Sequence, residues 1–332
     1  MAEASFGLLG PSPTMPTRGA HRLHGKERNW AETNCYVDLW IELLHHLGLE
    51  PTAMLAFTLS SDFDGSQWTF LKPPADDLRF LYGVELAELH IWRPVRDHVV
   101  QQLEAGCLVT VEVDAFFLPD TVATSYRRVH TKSTIVPLTV DVPERSLTYL
   151  HNSALHSLAG DDFDGLLPAT TGSSLPPYVE RIVLDRAVHL SDEVLRERAW
   201  TLLRRHLERL PVSNPVLRMG ACLARFMHDA VAVDSFYDYM FATVRSCGAA
   251  AELAADHLLW LMPEPDRHIS TAASALADLA AGMKTLEFSL ARAAHGRSVD
   301  TTAQLATLVA TYDVAMREFV VGVAAARPGL SA

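Results

Sequence analysis

The sequence predicts an α+β fold in which a domain with a central antiparallel sheet is followed by an all-α helical bundle. The run CLVTVEVDAFFL at residues 107–118 is rich in β-branched and aromatic residues, which favour a strand. The run STIVPLTVDVPERSLTYLHN at 133–152 predicts two further strands joined by a turn around Pro143. From Tyr178 onward, by contrast, apolar residues recur almost everywhere with the period of a helix.

Individual helices follow from capping residues and apolar stripes. Thr33 or Asn34 can cap a helix that ends at Gly48, and residues 94–105 predict a second helix that stops at Gly106. In the C-terminal part, one helix opened by Ser270 carries a stripe of large apolar residues spaced by three and four. These are Leu276, Leu279, Met283, Leu286 and Leu290.

Composition divides the chain into four segments. Residues 1–28, rich in Gly, Pro, Ser and Thr and then in basic residues, are expected to form a flexible N-terminal arm. Residues 29–167 form the predicted α/β domain, and residues 168–177, which are rich in Gly, Ser and Pro, form a linker. Residues 178–328 form the predicted helical domain.

Charge and composition argue against several classes of protein. With 40 acidic and 28 basic residues, the formal charge of -12 disfavours broad binding to nucleic acid or anionic lipid. No apolar run approaches the roughly 18 residues that a bilayer requires, and the first residues lack the pattern of a signal peptide. We therefore expect a cytoplasmic protein that binds neither nucleic acid nor membrane. The sequence leaves dimerisation open.

The cysteine and histidine patterns predict no metal site. The four cysteines show no CxxC pair and no regular spacing, so neither a disulfide framework nor a zinc knuckle is indicated. His45 and His46 are adjacent on a helix and cannot face one ligand together.

Cys35 is the candidate nucleophile. It lies at the first turn of a predicted helix, where free N–H groups and the macrodipole favour the thiolate. His130, just before a predicted strand, is the candidate base. Asn152, Asp141 or Asp114 would orient the imidazole, and the sequence does not decide among them. The alternative is that Cys35 is a buried structural residue, as free cysteines commonly are.

Four motifs carry a resemblance that covers residues 29–167: ETNCYVDLWIELL, VEVDAFFLPDT, SYRRVHTKSTI and LTYLHN. They resemble an uncharacterised bacterial domain family that is distantly similar to the N-terminal domain of the butirosin biosynthesis acyltransferase and to papain-like cysteine peptidases. The resemblance implies a papain-like cysteine domain, with Cys35 as nucleophile, His130 as base and Asn152 as its orienting residue. Asn29 would contribute to the oxyanion hole, although that family pattern usually has Gln there.

The resemblance also implies a function. The chain would be a cysteine-dependent acyltransferase that moves an aminoacyl or acyl group from the phosphopantetheine arm of a carrier protein to a small amine, with no bound cofactor of its own. Asp114 and Tyr126 would shape the pocket. Arg127, Arg128 and Lys132 would contact the acidic carrier protein, or would form an ordinary solvated surface.

Two other functions remain open. A cysteine peptidase or amidase would use the same residues with water as the acceptor. A non-catalytic module that binds a carrier protein or peptide would have a buried Cys35 without a contact to His130.

Overall fold

The protein contains two compact units that alternate along the chain. The computed structural model describes residues 7–8, 18–170, 175–228, 233–297 and 299–326. The sheet unit comprises Met1–Arg22, Asn34–Pro51 and Pro73–Leu195, and the helical unit comprises Leu23–Thr33, Thr52–Lys72 and Arg196–Ala332. Much of the predicted arm (1–6 and 9–17) and part of the predicted linker (171–174) lie outside the described residues.

The strands and helices have the following bounds. The strands are β1 (Gly7–Leu8), β2 (Glu85–Glu88), β3 (Leu108–Asp114), β4 (Lys132–Asp141), β5 (Ser146–His151), β6 (Ala154–Ala159), β7 (Val179–Val183) and β8 (Val188–His189). The α-helices are α1 (Cys35–His46), α2 (Ala75–Tyr82), α3 (Val95–Glu104), α4 (Asp161–Leu166), α5 (Asp192–Leu207), α6 (Pro215–His228), α7 (Val233–Met240), α8 (Ser246–Leu261), α9 (Arg267–Ala294) and α10 (Thr302–Ala325).

The sheet unit is built on a six-stranded antiparallel sheet with the strand order β2-β7-β3-β4-β5-β6. The prediction of an α+β chain with a central antiparallel sheet is therefore confirmed, as are the strands predicted between 107 and 152. Alternation along β3 places Val109, Val111 and Val113 on one face, where they join the hydrophobic core. The opposite face carries polar residues, which matter for the site described below.

The helical period predicted from Tyr178 onward is wrong for Val179–Val183, which form strand β7, between β2 and β3 in the sheet. Val179 and Ile182 are fully buried, whereas Glu180 and Arg181 lie between them. Two adjacent charged residues in a five-residue strand hide its alternation, and only cross-strand partners reveal it. The short strands β2 and β6 were not predicted either.

Both helices predicted beside the sheet are confirmed. In α1 the side chain of Asn34 caps the first turn, and Gly48 follows the last turn with a left-handed φ of 74°. The second helix, predicted at 94–105, is α3, and Gly106 after it has the same φ of 74°.

Three residues of the predicted arm, His21, Leu23 and Arg28, make specific contacts, so the prediction of a flexible arm does not hold for the stretch that they anchor. In the sheet unit, the backbone N–H of His21 donates to Glu42 at 2.8 Å. In the helical unit, Leu23 is only 1% exposed, and Arg28 forms an ion pair with Asp256 at 2.7 Å. A buried leucine and a paired arginine are enough to fix a segment whose composition resembles that of a linker.

In the helical unit α9 packs against both α8 and α10. Trp30 is 2% exposed and donates its indole N–H to the carbonyl of Ala280 on α9. Gly248 on α8 permits this packing, because a Cβ there would lie 2.5 Å from the indole nitrogen. The helix predicted to open at Ser270 begins earlier, since Asp266 caps it. None of the described helices is both long and apolar enough to cross a membrane.

Candidate active site

Cys35 is the first residue of α1. The Oδ1 atom of Asn34 accepts hydrogen bonds from the backbone N–H groups of Tyr36 at 2.9 Å and Val37 at 3.0 Å, which fixes the first helical turn. The Cys35 thiol is partly exposed and donates to the hydroxyl of Thr134, with 3.7 Å between Sγ and Oγ1. The helix terminus therefore holds a partly accessible thiol against β4.

The face of the sheet that meets Cys35 is polar. In the β3–β4 register Glu112 lies opposite Thr134, and Asp114 lies opposite Lys132. Because side chains alternate along a strand, these four residues share one face. The ammonium group of Lys132 donates to Glu112 at 2.7 Å. A row of ionisable groups thus extends from the thiol toward the end of β3.

His130 lies beyond this row, two residues before β4. Its Nδ1 atom is 2.5 Å from Oδ2 of Asp114, and its ring stacks on Phe116 with 4.3 Å between centroids. The other oxygen of Asp114 accepts the backbone N–H of Phe116 at 3.0 Å. The carboxylate and the aromatic ring therefore fix the position and the plane of the imidazole.

The thiol and the imidazole are not hydrogen-bonded to each other in the described structure. Among the described residues no hydrogen bond joins Cys35 to His130, and the partner of the thiol is Thr134. Thr134 and His130 are four residues apart, which corresponds to about 14 Å between Cα atoms at full extension. The predicted pairing of Cys35 with His130 therefore stays a prediction.

A cleft of about 480 Å³ adjoins His130. It lies at the end of β3, where the ladder between β7 and β3 stops at Val111. Its polar wall consists of Glu112, Asp114, His130 and Lys132, and its apolar wall includes Val95, Phe117, Leu166, Pro168, Leu175 and Pro177. An apolar cleft with a few convergent polar groups has the size and character of a small-molecule site.

Of the three residues left open as orienting partner, Asp114 is the one hydrogen-bonded to His130. Asn152 occupies the two-residue turn between β5 and β6 with a left-handed φ of 47°, a conformation that asparagine tolerates well. Asp141 ends β4, where it accepts the backbone N–H of Glu144. In the described structure neither Asn152 nor Asp141 contacts His130.

Asn29, the predicted oxyanion donor, belongs to the helical unit. Its backbone N–H and its side-chain amide donate to the same oxygen of Glu252, at 3.0 and 3.4 Å. The amide therefore already has an acceptor within that unit, and its role in an oxyanion hole stays a prediction.

The predicted carrier-protein contacts are partly neutralised. Asp162 accepts hydrogen bonds from the hydroxyl of Tyr126, at 2.9 Å, and from the guanidinium of Arg127. Lys132 is paired with Glu112, as described above. Arg128 is exposed, and its guanidinium lies 3.5 Å from the backbone oxygen of Ala123.

A hydrogen-bonded network centred on His151 was not predicted from the sequence. His151 links Ser133, at 2.6 Å from Nε2, to Asp120 on Nδ1, and the Tyr149 hydroxyl donates to Asp120 at 2.5 Å. Burial alone would raise the pKa of Asp120, but the hydrogen bonds from His151 and Tyr149 outweigh it and hold that pKa below its ordinary value.

Ser133, His151 and Asp120 are hydrogen-bonded in the same order as the residues of a Ser-His-Asp triad, but their position indicates a structural role. Ser133 is only 6% exposed and His151 1%, so a substrate cannot reach either residue. Ser133 pairs with Val113, which places it on the core face, opposite to Cys35. These hydrogen bonds connect β4 and β5 to the turn at Asp120. The sequence marks His151 only as a histidine at the end of an apolar strand, and its partners follow from the strand register.

Two family models match the chain. The DUF1839 N-terminal domain matches residues 19–184, and the DUF1839 C-terminal domain matches residues 192–320. No curated protein matches it significantly. Because the two models together span most of the sequence, the chain belongs to the two-domain DUF1839 family.

Proposed function

We propose that the chain is a cysteine-dependent acyltransferase of papain-like descent. It would move an aminoacyl or acyl group from the phosphopantetheine thioester of a carrier protein to an amine, through an acyl-enzyme on Cys35. The observation that carries the proposal is the capped helix terminus, which holds the thiol on the same face of the sheet as Lys132 and Asp114, the partner of His130.

The reaction has two balanced steps. The Cys35 thiolate attacks the thioester carbonyl, forming a new C–S bond while the bond to the phosphopantetheine sulfur breaks, and the released thiolate takes up a proton. The amine then attacks the acyl-enzyme. A C–N bond forms, the bond to Cys35 breaks, and the proton lost by the amine returns to the enzyme.

His130 is the proposed base, with Asp114 as its positioning residue. The carboxylate on Nδ1 selects the tautomer in which Nε2 can accept a proton. Catalytic hydrogen bonds often form fully only in the complex with substrate. The proposal therefore requires the segment that carries His130 to approach Cys35 when the donor binds.

The cleft beside His130 would receive the acyl group or the amine. Its apolar wall, which includes Leu175, suits a hydrocarbon or an amino-acid side chain. At the surface, Arg128 is the residue best placed to meet an acidic carrier protein, because Arg127 and Lys132 are already paired with carboxylates.

Two other functions compete with this proposal. A peptidase or amidase would use the same groups with water as the acceptor. One observation favours a non-catalytic binding module: the Cys35 thiol is hydrogen-bonded to Thr134 and not to His130.

The test is to incubate the protein with an aminoacyl or acyl carrier protein and to detect the Cys35 adduct by intact-mass and peptide mass spectrometry. We expect the wild type to form the adduct and to release it when an amine is added, whereas Cys35→Ala forms none. Cys222 is also partly exposed, so Cys222→Ala is the matched control and should retain the adduct.

Full transfer by Cys35→Ala would refute the proposal. Release of the acyl group as free acid at the same rate with and without amine would instead support the peptidase or amidase. If the wild type forms no adduct but binds the carrier protein, the result would favour the non-catalytic binding module.

A further inference from the structure

Glu180 is a buried carboxylate on β7, an interior strand of the sheet. It lies on β7 opposite Thr110 of β3 and is only 5% exposed. Three hydroxyl groups donate to it: those of Tyr36, of Thr110 at 3.2 Å and of Tyr178 at 2.9 Å. We call these four residues the Glu180 cage.

The hydroxyl donors offset much of the cost of burying a carboxylate, which is large when the group lacks hydrogen bonds. Burial raises the pKa of Tyr36, and its hydrogen bond to Glu180 raises it further. Burial and Glu180 raise the pKa of Tyr178 in the same way. Both tyrosines therefore keep their protons at neutral pH and remain donors to Glu180.

The cage is joined to the site through the chain. Tyr36 follows Cys35 directly and is the second residue of α1. Its hydroxyl fixes the first turn of α1 to β7, and Thr110 shares the same oxygen of Glu180 and adds β3. The hydrogen bond from the Cys35 thiol to Thr134 connects the same helical turn to β4.

We propose that Glu180 and Tyr36 are positioning residues, which hold the first turn of α1 so that the Cys35 thiol faces the polar side of the sheet. This inference rests on the proposed role of Cys35 as nucleophile. Tyr36 connects Glu180 to Cys35 because it is the next residue of α1, whereas Tyr178 supports the same carboxylate from outside α1.

The distinction between Tyr36 and Tyr178 gives a matched test. Tyr36→Phe and Tyr178→Phe each remove one hydroxyl from Glu180, but only the first releases α1. For each variant one would measure the thermal unfolding midpoint and the rate of alkylation of Cys35 by iodoacetamide against pH, read by mass spectrometry. The other ionisable groups on the same face, Glu112 with Lys132 and Asp114 with His130, are unchanged in both variants.

We expect both variants to lose thermal stability, but only Tyr36→Phe to change the thiol. When the helix terminus loosens, its N–H groups are less well aligned, so the midpoint of the alkylation profile should rise by about half a pH unit. The rate of acyl transfer to Cys35 should fall by about fivefold. Tyr178→Phe should keep both values of the wild type.

Loss of stability alone in Tyr36→Phe, or an equal shift in Tyr178→Phe, would overturn the inference and leave the cage as a purely structural feature. Glu180→Gln is a second variant that keeps an oxygen acceptor for Tyr36, and it should retain the midpoint of the wild type. A shift as large as that of Tyr36→Phe would assign the effect to the charge of Glu180 and would also overturn it. Alkylation needs no acyl donor, so this result is separable from a failure of the proposed acyl transfer.

Discussion

At the scale of single residues, the pairing of His130 with Asp114 gives the imidazole a defined orientation. A carboxylate on Nδ1 favours the tautomer in which Nδ1 carries the proton. Asn152 instead has a conformational reason to be where it is, since the turn between β5 and β6 requires a left-handed residue.

We therefore expect Asp114→Asn to lower kcat/KM for acyl transfer by about a hundredfold, the usual contribution of general acid–base catalysis. Asn152→Gly removes the side-chain amide but suits the left-handed φ, and it should change kcat/KM by less than about twofold. Steady-state kinetics of both variants decides between the two residues. A large loss in Asn152→Gly with an active Asp114→Asn would return the orienting role to Asn152.

Sequence reasoning predicted Cys35, His130 and Asp114 as site residues, but it did not predict all of the contacts that the structure gives them. The position of Cys35 after a capping asparagine and the order of His130 and Asp114 around a strand are local signals. The contact of Cys35 with Thr134 depends on how α1 packs on β4, and the bond of His151 to Ser133 depends on strand register. Neither relation has a local signature in the sequence.

At the scale of elements, the N-cap of α1 is the simplest feature to test. The side chain of Asn34 satisfies two backbone N–H groups that would otherwise lack an acceptor, those of Tyr36 and Val37.

Asn34→Ala should lower the free energy of unfolding by about 1 kcal/mol, because these donors lose their acceptor. Asn34→Ser can still accept a hydrogen bond at the cap and should retain most of the stability. Urea unfolding followed by circular dichroism measures both. If the serine variant were as unstable as the alanine variant, capping could not be the cause.

The elements that the sequence predicted well are those with long, regular patterns. The helix α1 and the strands β3, β4 and β5 carry enough apolar residues to show their period. The strand β7 was missed because its two charges are stabilised by distant partners: Tyr36 and Thr110 for Glu180, and Cys107 for Arg181.

At the scale of the whole molecule, the division into units does not follow the order of the chain. Leu23–Thr33 and Thr52–Lys72 belong to the helical unit although α1 lies between them. Trp30 and Trp68 show why: each is almost fully buried and bonds within the helical unit, Trp30 to Ala280 and the backbone of Trp68 to Ala242. A composition-based boundary cannot detect such anchors, because a single tryptophan does not change the composition of a segment.

The stability of the helical unit should depend on pH through His257. This residue lies on α8, is fully buried, and has its Nδ1 atom 2.8 Å from the backbone oxygen of Thr52. Burial, together with nearby His206, lowers its pKa to about 4, although the hydrogen bond to Thr52 acts in the opposite direction.

Between about pH 6.5 and pH 4 the unfolded chain binds a proton at His257, whereas the folded chain does not. Because unfolding then takes up a proton, the free energy of unfolding should decrease as the pH is lowered from about 6.5 to about 4, by about 3 kcal/mol in total. His257→Gln keeps an N–H donor for Thr52 but cannot be protonated. When both proteins are unfolded in urea, the variant should therefore lose about 3 kcal/mol less than the wild type between pH 7 and pH 4. Equal losses in the two proteins would mean that His257 is already protonated, or solvated, in the folded state.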